Sequence, residues 1–252
     1  MNASTLAASL PGARMDPYRK IALYTGLFWV LTYITSIPAL LLFDPVINDA
    51  NYIVGAGDDN RIFLGAFLEL ILIIANIGTA LAPLAILRRQ SERLAFGFLA
   101  ARIMESVFIA VGILSVLAVV AMRQNGGGED PASLVIAGKS LVAIKDLTFM
   151  LGPGFVVGIG NGLIMGYLMY RSGLIPRGLA MLGLVGGPLI CAAGVAMMFG
   201  VLELGSPMQM IVTVPEFIWE LSLGIWLIAK GFDASASVLS APTVAPQAVP
   251  AD

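Results

Sequence analysis

The stretch Phe98-Leu-Ala-Ala-Arg102-Ile-Met-Glu105-Ser-Val-Phe-Ile-Ala-Val-Gly112 places an arginine and a glutamate three residues apart inside an apolar run. The run containing it, residues 94–122, is long enough to cross a bilayer, whose hydrocarbon core needs about 20 helical residues. Charges at that depth are costly unless they face protein or water and find partners there. Partner groups must therefore come from other membrane helices, closed around a polar centre.

Composition supports the same reading. Of 252 residues, 58% are hydrophobic and only 12% charged, with a mean hydropathy of +0.92. Soluble domains carry about 25% charged residues, so half that value indicates an integral membrane protein. Histidine is absent and Cys191 is the lone cysteine, which excludes an internal disulfide, His-based metal sites and histidine-activated nucleophiles. Cys191 sits in an apolar run and reads as a small packing residue. No metal or cofactor is expected, and no catalytic residue stands out. Basic residues are not interleaved with aromatics in a patch, which argues against nucleic acid; the lipid bilayer is the expected partner.

Five further apolar segments join 94–122, giving six: 21–43, 62–87, 94–122, 147–170, 179–202 and 207–229. None alternates with period two, so the expected fold is an all-α bundle of six transmembrane helices rather than a barrel. Pro11, Asp16 and Pro17 interrupt the N-terminal region, which does not read as a cleaved signal peptide. The expected organisation is a cytoplasmic segment over 1–19, a membrane domain over 20–232 and a disordered cytoplasmic tail over 233–252. The stretch 131–145, apolar with two lysines, is expected on the outer interface as an amphipathic helix.

Orientation follows from lysine and arginine in short loops. Nine lie on one side (Arg14, Arg19, Lys20, Arg88, Arg89, Arg93, Arg171, Arg177, Lys230) against four on the other (Arg61, Arg123, Lys139, Lys145). That asymmetry places both termini in the cytoplasm.

Within the spans, polar residues recur at helical spacing. Glu69 and Asn76 share a face of the second, Asn161 lies on the fourth, and Glu216 and Glu220 on the sixth. With Arg102 and Glu105 they form the candidate ligand-binding set, and Arg102 is expected to pair with Glu105 and Glu220. One arginine against four glutamates leaves three carboxylates in excess, to be neutralised by protons, water or a bound cation. The fourth span also carries Gly154, Gly158, Gly162 and Gly166, and the fifth Gly183 and Gly187. Such small-residue ribbons let helix backbones approach closely in lipid. Gly152-Pro153-Gly154, Pro188 and Pro215 are candidate helix breaks.

Several motifs also follow one another in order: Asn60-Arg-Ile-Phe-Leu-Gly-Ala-Phe-Leu-Glu69-Leu, the Arg102-x-x-Glu105 pair, Leu151-Gly-Pro-Gly-Phe, Arg171-Ser-Gly-Leu-Ile-Pro176-Arg, Gly186-Gly-Pro-Leu, and Pro215-Glu-Phe-Ile-Trp-Glu220-Leu-Ser-Leu-Gly-Ile-Trp-Leu-Ile-Ala-Lys-Gly-Phe. Over about residues 18 to 232 the chain resembles the bacterial membrane-protein family filed as domain of unknown function 4386. The resemblance implies a polytopic bacterial inner-membrane protein and carries no activity or ligand residues with it. Three readings remain: binding or transport of a proton, cation or small amine-bearing solute; a structural or sensory component whose polar centre is packing glue; and an intramembrane enzyme acting on lipid. The surplus of carboxylates favours the first.

Overall fold

The computed structural model describes residues 15–55, 57–126 and 128–240. Helix starts are written plainly in the sequence. Asp16-Pro17, Asp130-Pro131 and Ser206-Pro207 each pair a capping side chain with a proline at the first helical position. The side chain accepts a bond from a first-turn N–H, and proline needs none. Ser91 caps α4 likewise, accepting from Leu94 N–H at 3.3 Å.

The elements are α1 (Pro17–Asn48), α2 (Asp59–Leu81), the short α3 (Leu84–Gln90), α4 (Glu92–Asn125) and α5 (Pro131–Leu151). Two π-helical segments follow, Gly152–Val156 and Gly158–Met165, then α6 (Gly166–Ser172), α7 (Arg177–Met198), α8 (Pro207–Ala229) and a final turn, α9 (Ser237–Ser240). The fold is all-α, and six helices are long and apolar enough to span a membrane.

Four expectations change. The interfacial helix over 131–145 does not exist as a separate element. Pro131–Ser172 is one helical run of 42 residues, so the fourth span begins far earlier than 147 and carries Lys145 into the bundle. The second span is shorter, since the chain turns at Pro83, which has no N–H to continue the ladder. Pro188 and Pro215 lie inside continuous helices, and the change at Gly152-Pro153-Gly154 is from α to π bonding rather than a break. Lastly, the tail expected to be disordered from 233 is folded as far as 240. Asp233 N–H donates to Leu174 O at 2.9 Å, and Val238 and Leu239 join the core beside Leu87 and Leu174. Residues 1–14 and 241–252 lie outside the described residues.

The spans form a ring in chain order. α1 packs on α2, α2 on α4, α4 on the fourth span, the second π segment on α7, α7 on α8, and α8 back on α1. Glycines sit where the backbones touch. A Cβ on Gly26 would lie 2.6 Å from Gly224 O, closing the ring between α1 and α8. A Cβ on Gly158 would lie 2.6 Å from Gly187 O, and one on Gly162 would overlap the Gly187 Cα. A Cβ on Gly183 would lie 2.7 Å from the Trp219 indole and one on Gly166 3.2 Å from Leu184 N, whereas one on Gly154 would meet another helix only at Met197 Cε, 3.8 Å away. One apolar core cluster gathers about Trp29, Phe98, Leu168 and Trp219; a second gathers about Phe43, Ile62, Ile113 and Val116.

Candidate functional site

Inside the ring lies a cavity of about 330 Å³, with residues from every span on its wall. Three polar groupings meet there.

The first is the arginine that the apolar run of α4 made conspicuous. Arg102 is 2% exposed, and all three of its nitrogens donate. Nη1 reaches Glu105 Oε2 at 2.6 Å, Nη2 reaches Asn76 Oδ1 at 2.5 Å, and Nε reaches Thr79 Oγ1 at 3.0 Å. The Asn76 amide closes the circuit by donating to Glu105 Oε1 at 3.1 Å. The Trp29 ring covers the guanidinium 5.1 Å away. Satisfying a buried ion with hydrogen bonds on every side is what keeps its desolvation tolerable. This grouping joins α2 to α4 and is complete within the protein.

The second grouping was not foreseen. Lys145 Nζ lies 2.6 Å from Glu69 Oε1 and 2.8 Å from Oε2, joining α5 to α2. Phe43 of α1 presents its ring 4.8 Å from the ammonium. Room for the lysine comes from Gly112, where a Cβ would stand 3.0 Å from Lys145 Cδ. The signal available in the sequence was Glu69, an acid at depth with no cation within four residues of it along its own helix. Counting Lys145 as a loop residue concealed its partner.

The third grouping is acidic and has no cation of its own. Asn161 Nδ2 donates to Glu220 Oε1 at 2.5 Å, and Trp219 Nε1 donates to Asn161 O at 3.0 Å. Tyr33 of α1 donates to Phe217 O at 2.8 Å and stands 3.5 Å from Glu220 Oε2. One turn earlier, Glu216 is 2% exposed. Among the described residues neither of its carboxylate oxygens has a hydrogen-bond partner, and the Asn161 Oδ1 is also unpartnered. Glu216 fits because Gly162 and Gly186 leave the space: a Cβ on either would stand within 2.8 Å of its Oε2.

The structure thus brings Glu69, Asn76, Arg102, Glu105, Glu216 and Glu220 to one cavity wall, with Asn161 behind Glu220. It divides them differently from the sequence reading. Glu220 makes no ion pair with Arg102 among the described residues and is held by Asn161 instead. With Lys145 added, two cations face four glutamates, so the surplus is two carboxylates rather than three. Tyr33 and Lys145 are wall residues that sequence reasoning did not select.

Among the described residues no three His, Cys, Asp or Glu side chains are grouped as metal ligands. The cavity sets four glutamates beside an apolar wall that includes Leu40, Leu72, Ile109 and Phe149.

No curated protein and no solved structure matches the chain. A comparison with protein families matches residues 24–231, spanning all six membrane helices, to the family described as Domain of unknown function (DUF4386), and the chain belongs to that family.

Proposed function

We propose that this multi-pass protein resides in the bacterial inner membrane with both termini cytoplasmic, and binds or transports a proton, a cation or a small amine-bearing solute at its acidic centre. The observation that carries the reading is Glu216: buried, on the cavity wall, and with both carboxylate oxygens unpartnered among the described residues. A buried polar group left without a partner costs about 1–3 kcal/mol, more when charged, and a ligand that supplies the partner recovers that cost. Intramembrane acids facing a cavity are the usual place for such ligands.

The test is unfolding of the purified protein in nanodiscs, titrated with sodium, potassium and propylamine, together with a pH series. A saturable rise in Tm with one of these is expected. The double variant Glu216→Gln/Glu220→Gln should lose it, and absence of any response would refute the reading. Orientation is tested separately by reporter fusions after Arg123 and after Lys230. The basic asymmetry calls for opposite signals, with the Lys230 fusion cytoplasmic.

A second reading is favoured by one observation, the closed Arg102–Glu105–Asn76 network. With every arginine nitrogen already bonded, that half of the centre serves to hold α2 against α4.

A further inference from the structure

The cavity has a side opening, and its rim is apolar. Ile37 and Leu40 on α1 and Phe217 on α8 all line the cavity, yet expose 46%, 53% and 44% of their surface. Phe149 on α5 does the same at 38%. A side chain that lines a cavity while showing that much surface marks its mouth. These four come from three helices, and α5 packs along neither α1 nor α8. All four lie inside membrane-spanning helices. A mouth facing water would present polar side chains; this one presents hydrocarbon to the acyl chains of the bilayer.

Resting on the acidic-site reading, we propose that the ligand is a single-chain cationic amphiphile: an ammonium head with an alkyl tail, entering laterally from the bilayer between α5 and the α1–α8 pair. The head lies against Glu216 and Glu220, one helical turn apart on the same face of α8. They are the two carboxyl groups of the wall with no ion pair among the described residues, since Lys145 is held by Glu69 and Arg102 by Glu105. A volume of about 330 Å³ stands at the low end of small-molecule cavities, roughly 300–1,000 Å³, enough for the head and part of one chain. The remainder of the tail passes the rim formed by Leu40, Phe149 and Phe217 and stays in lipid. The amphiphile thus matches both halves of the site, an apolar mouth and a floor of two carboxyl groups of which Glu216 has no hydrogen-bond partner among the described residues.

The experiment uses the full chain in phosphatidylcholine nanodiscs, with unfolding followed by tryptophan fluorescence. Dodecylamine, which is protonated at neutral pH, is compared with propylamine and with uncharged dodecanol. Dodecylamine should raise Tm and half-saturate at a concentration roughly tenfold or more below that of propylamine, because added methylenes favour an apolar path. Dodecanol should give no comparable shift. Glu216→Gln should lose the dodecylamine response. Leu40→Trp, which narrows the mouth without touching the carboxylates, should lose it while keeping the response to propylamine, so the inference stays testable even if Glu216→Gln fails to fold. Equal half-saturation for the two amines would overturn lateral entry and leave the acidic site standing. A dodecanol shift as large as that of dodecylamine would overturn the ammonium's role. No response to either amine would overturn the amphiphile and count against amine binding altogether.

Discussion

Lys145 on α5 and Glu69 on α2 form a two-pronged ion pair, with the ammonium 2.6 Å and 2.8 Å from the two carboxylate oxygens. Both side chains are almost entirely withdrawn from the surface, so each depends on the other for its charge to be tolerated. Removing one partner of a buried pair typically costs 3–5 kcal/mol, whereas replacing both by apolar groups of similar volume costs little. Lys145→Met should therefore lower stability by about 3 kcal/mol, and Lys145→Met/Glu69→Leu should regain most of it. A double-mutant cycle on unfolding in detergent measures the coupling. Strict additivity would contradict the pairing.

Arg102 should couple strongly to Glu105 and Asn76, and only weakly to Glu220. Its hydrogen bonds run to the first two, while Glu220 is held by Asn161 and faces Tyr33. Arg102→Leu should cost about 3 kcal/mol or more, because it strands a buried carboxylate. Adding Glu105→Leu should recover a large part; adding Glu220→Leu should not. The same cycle format distinguishes the two pairs, and recovery by Glu220→Leu alone would reverse the assignment.

Helix contacts of the second π segment should be intolerant of a single methyl group. A Cβ on Gly162 meets Gly187 backbone, which has no rotamer to change, so Gly162→Ala should destabilise by about 1–3 kcal/mol. Gly97 on α4 is the control. A Cβ there meets only Ile164 Cδ1 at 3.6 Å, an ordinary contact, and alanine gains up to about 1 kcal/mol of helix propensity. Gly97→Ala should thus be neutral or stabilising. Melting temperatures of the two variants, side by side, check the contrast.

Outside the membrane helices, Tyr52 should mark an alkaline transition. Its hydroxyl donates to Asp59 Oδ1 at 2.8 Å, and Arg123, which pairs with Asp59, lies over its ring at 5.2 Å. Burial first, and then the bond to Asp59, push the phenol up from near 10 to about 12. An acid whose folded value is raised favours the folded state while it stays protonated. That contribution is complete below pH 10 and is lost as pH rises through about 12. Tyr52→Phe should therefore flatten the fall in Tm across that window, and a fall as steep as in the unsubstituted protein would exclude Tyr52 as its source.

The sequence by itself determined the class of the fold and most of the cast. Length and composition of the apolar runs dictate membrane helices, because an unpaired backbone cannot survive in hydrocarbon. The cost of charge at depth singled out Glu69, Arg102, Glu105, Glu216 and Glu220, and every one of these lines the cavity. Glycine spacing in the fourth and fifth spans anticipated where Gly158, Gly162 and Gly187 meet. Pairing was another matter. Which acid takes which cation depends on which helix faces which, and that is set by packing across the ring rather than by spacing along the chain. Lys145 looked like a loop residue because hydropathy averages over a window and cannot register that one buried lysine has a carboxylate waiting on α2. Likewise, Asn161 rather than Arg102 holds Glu220, and Glu216 is left unpartnered among the described residues, because close glycine contacts bring α7, α8 and the π segments together there. Only the tertiary arrangement separates a satisfied ion pair from an exposed need for one, since the difference is a matter of a few ångströms between residues far apart in sequence.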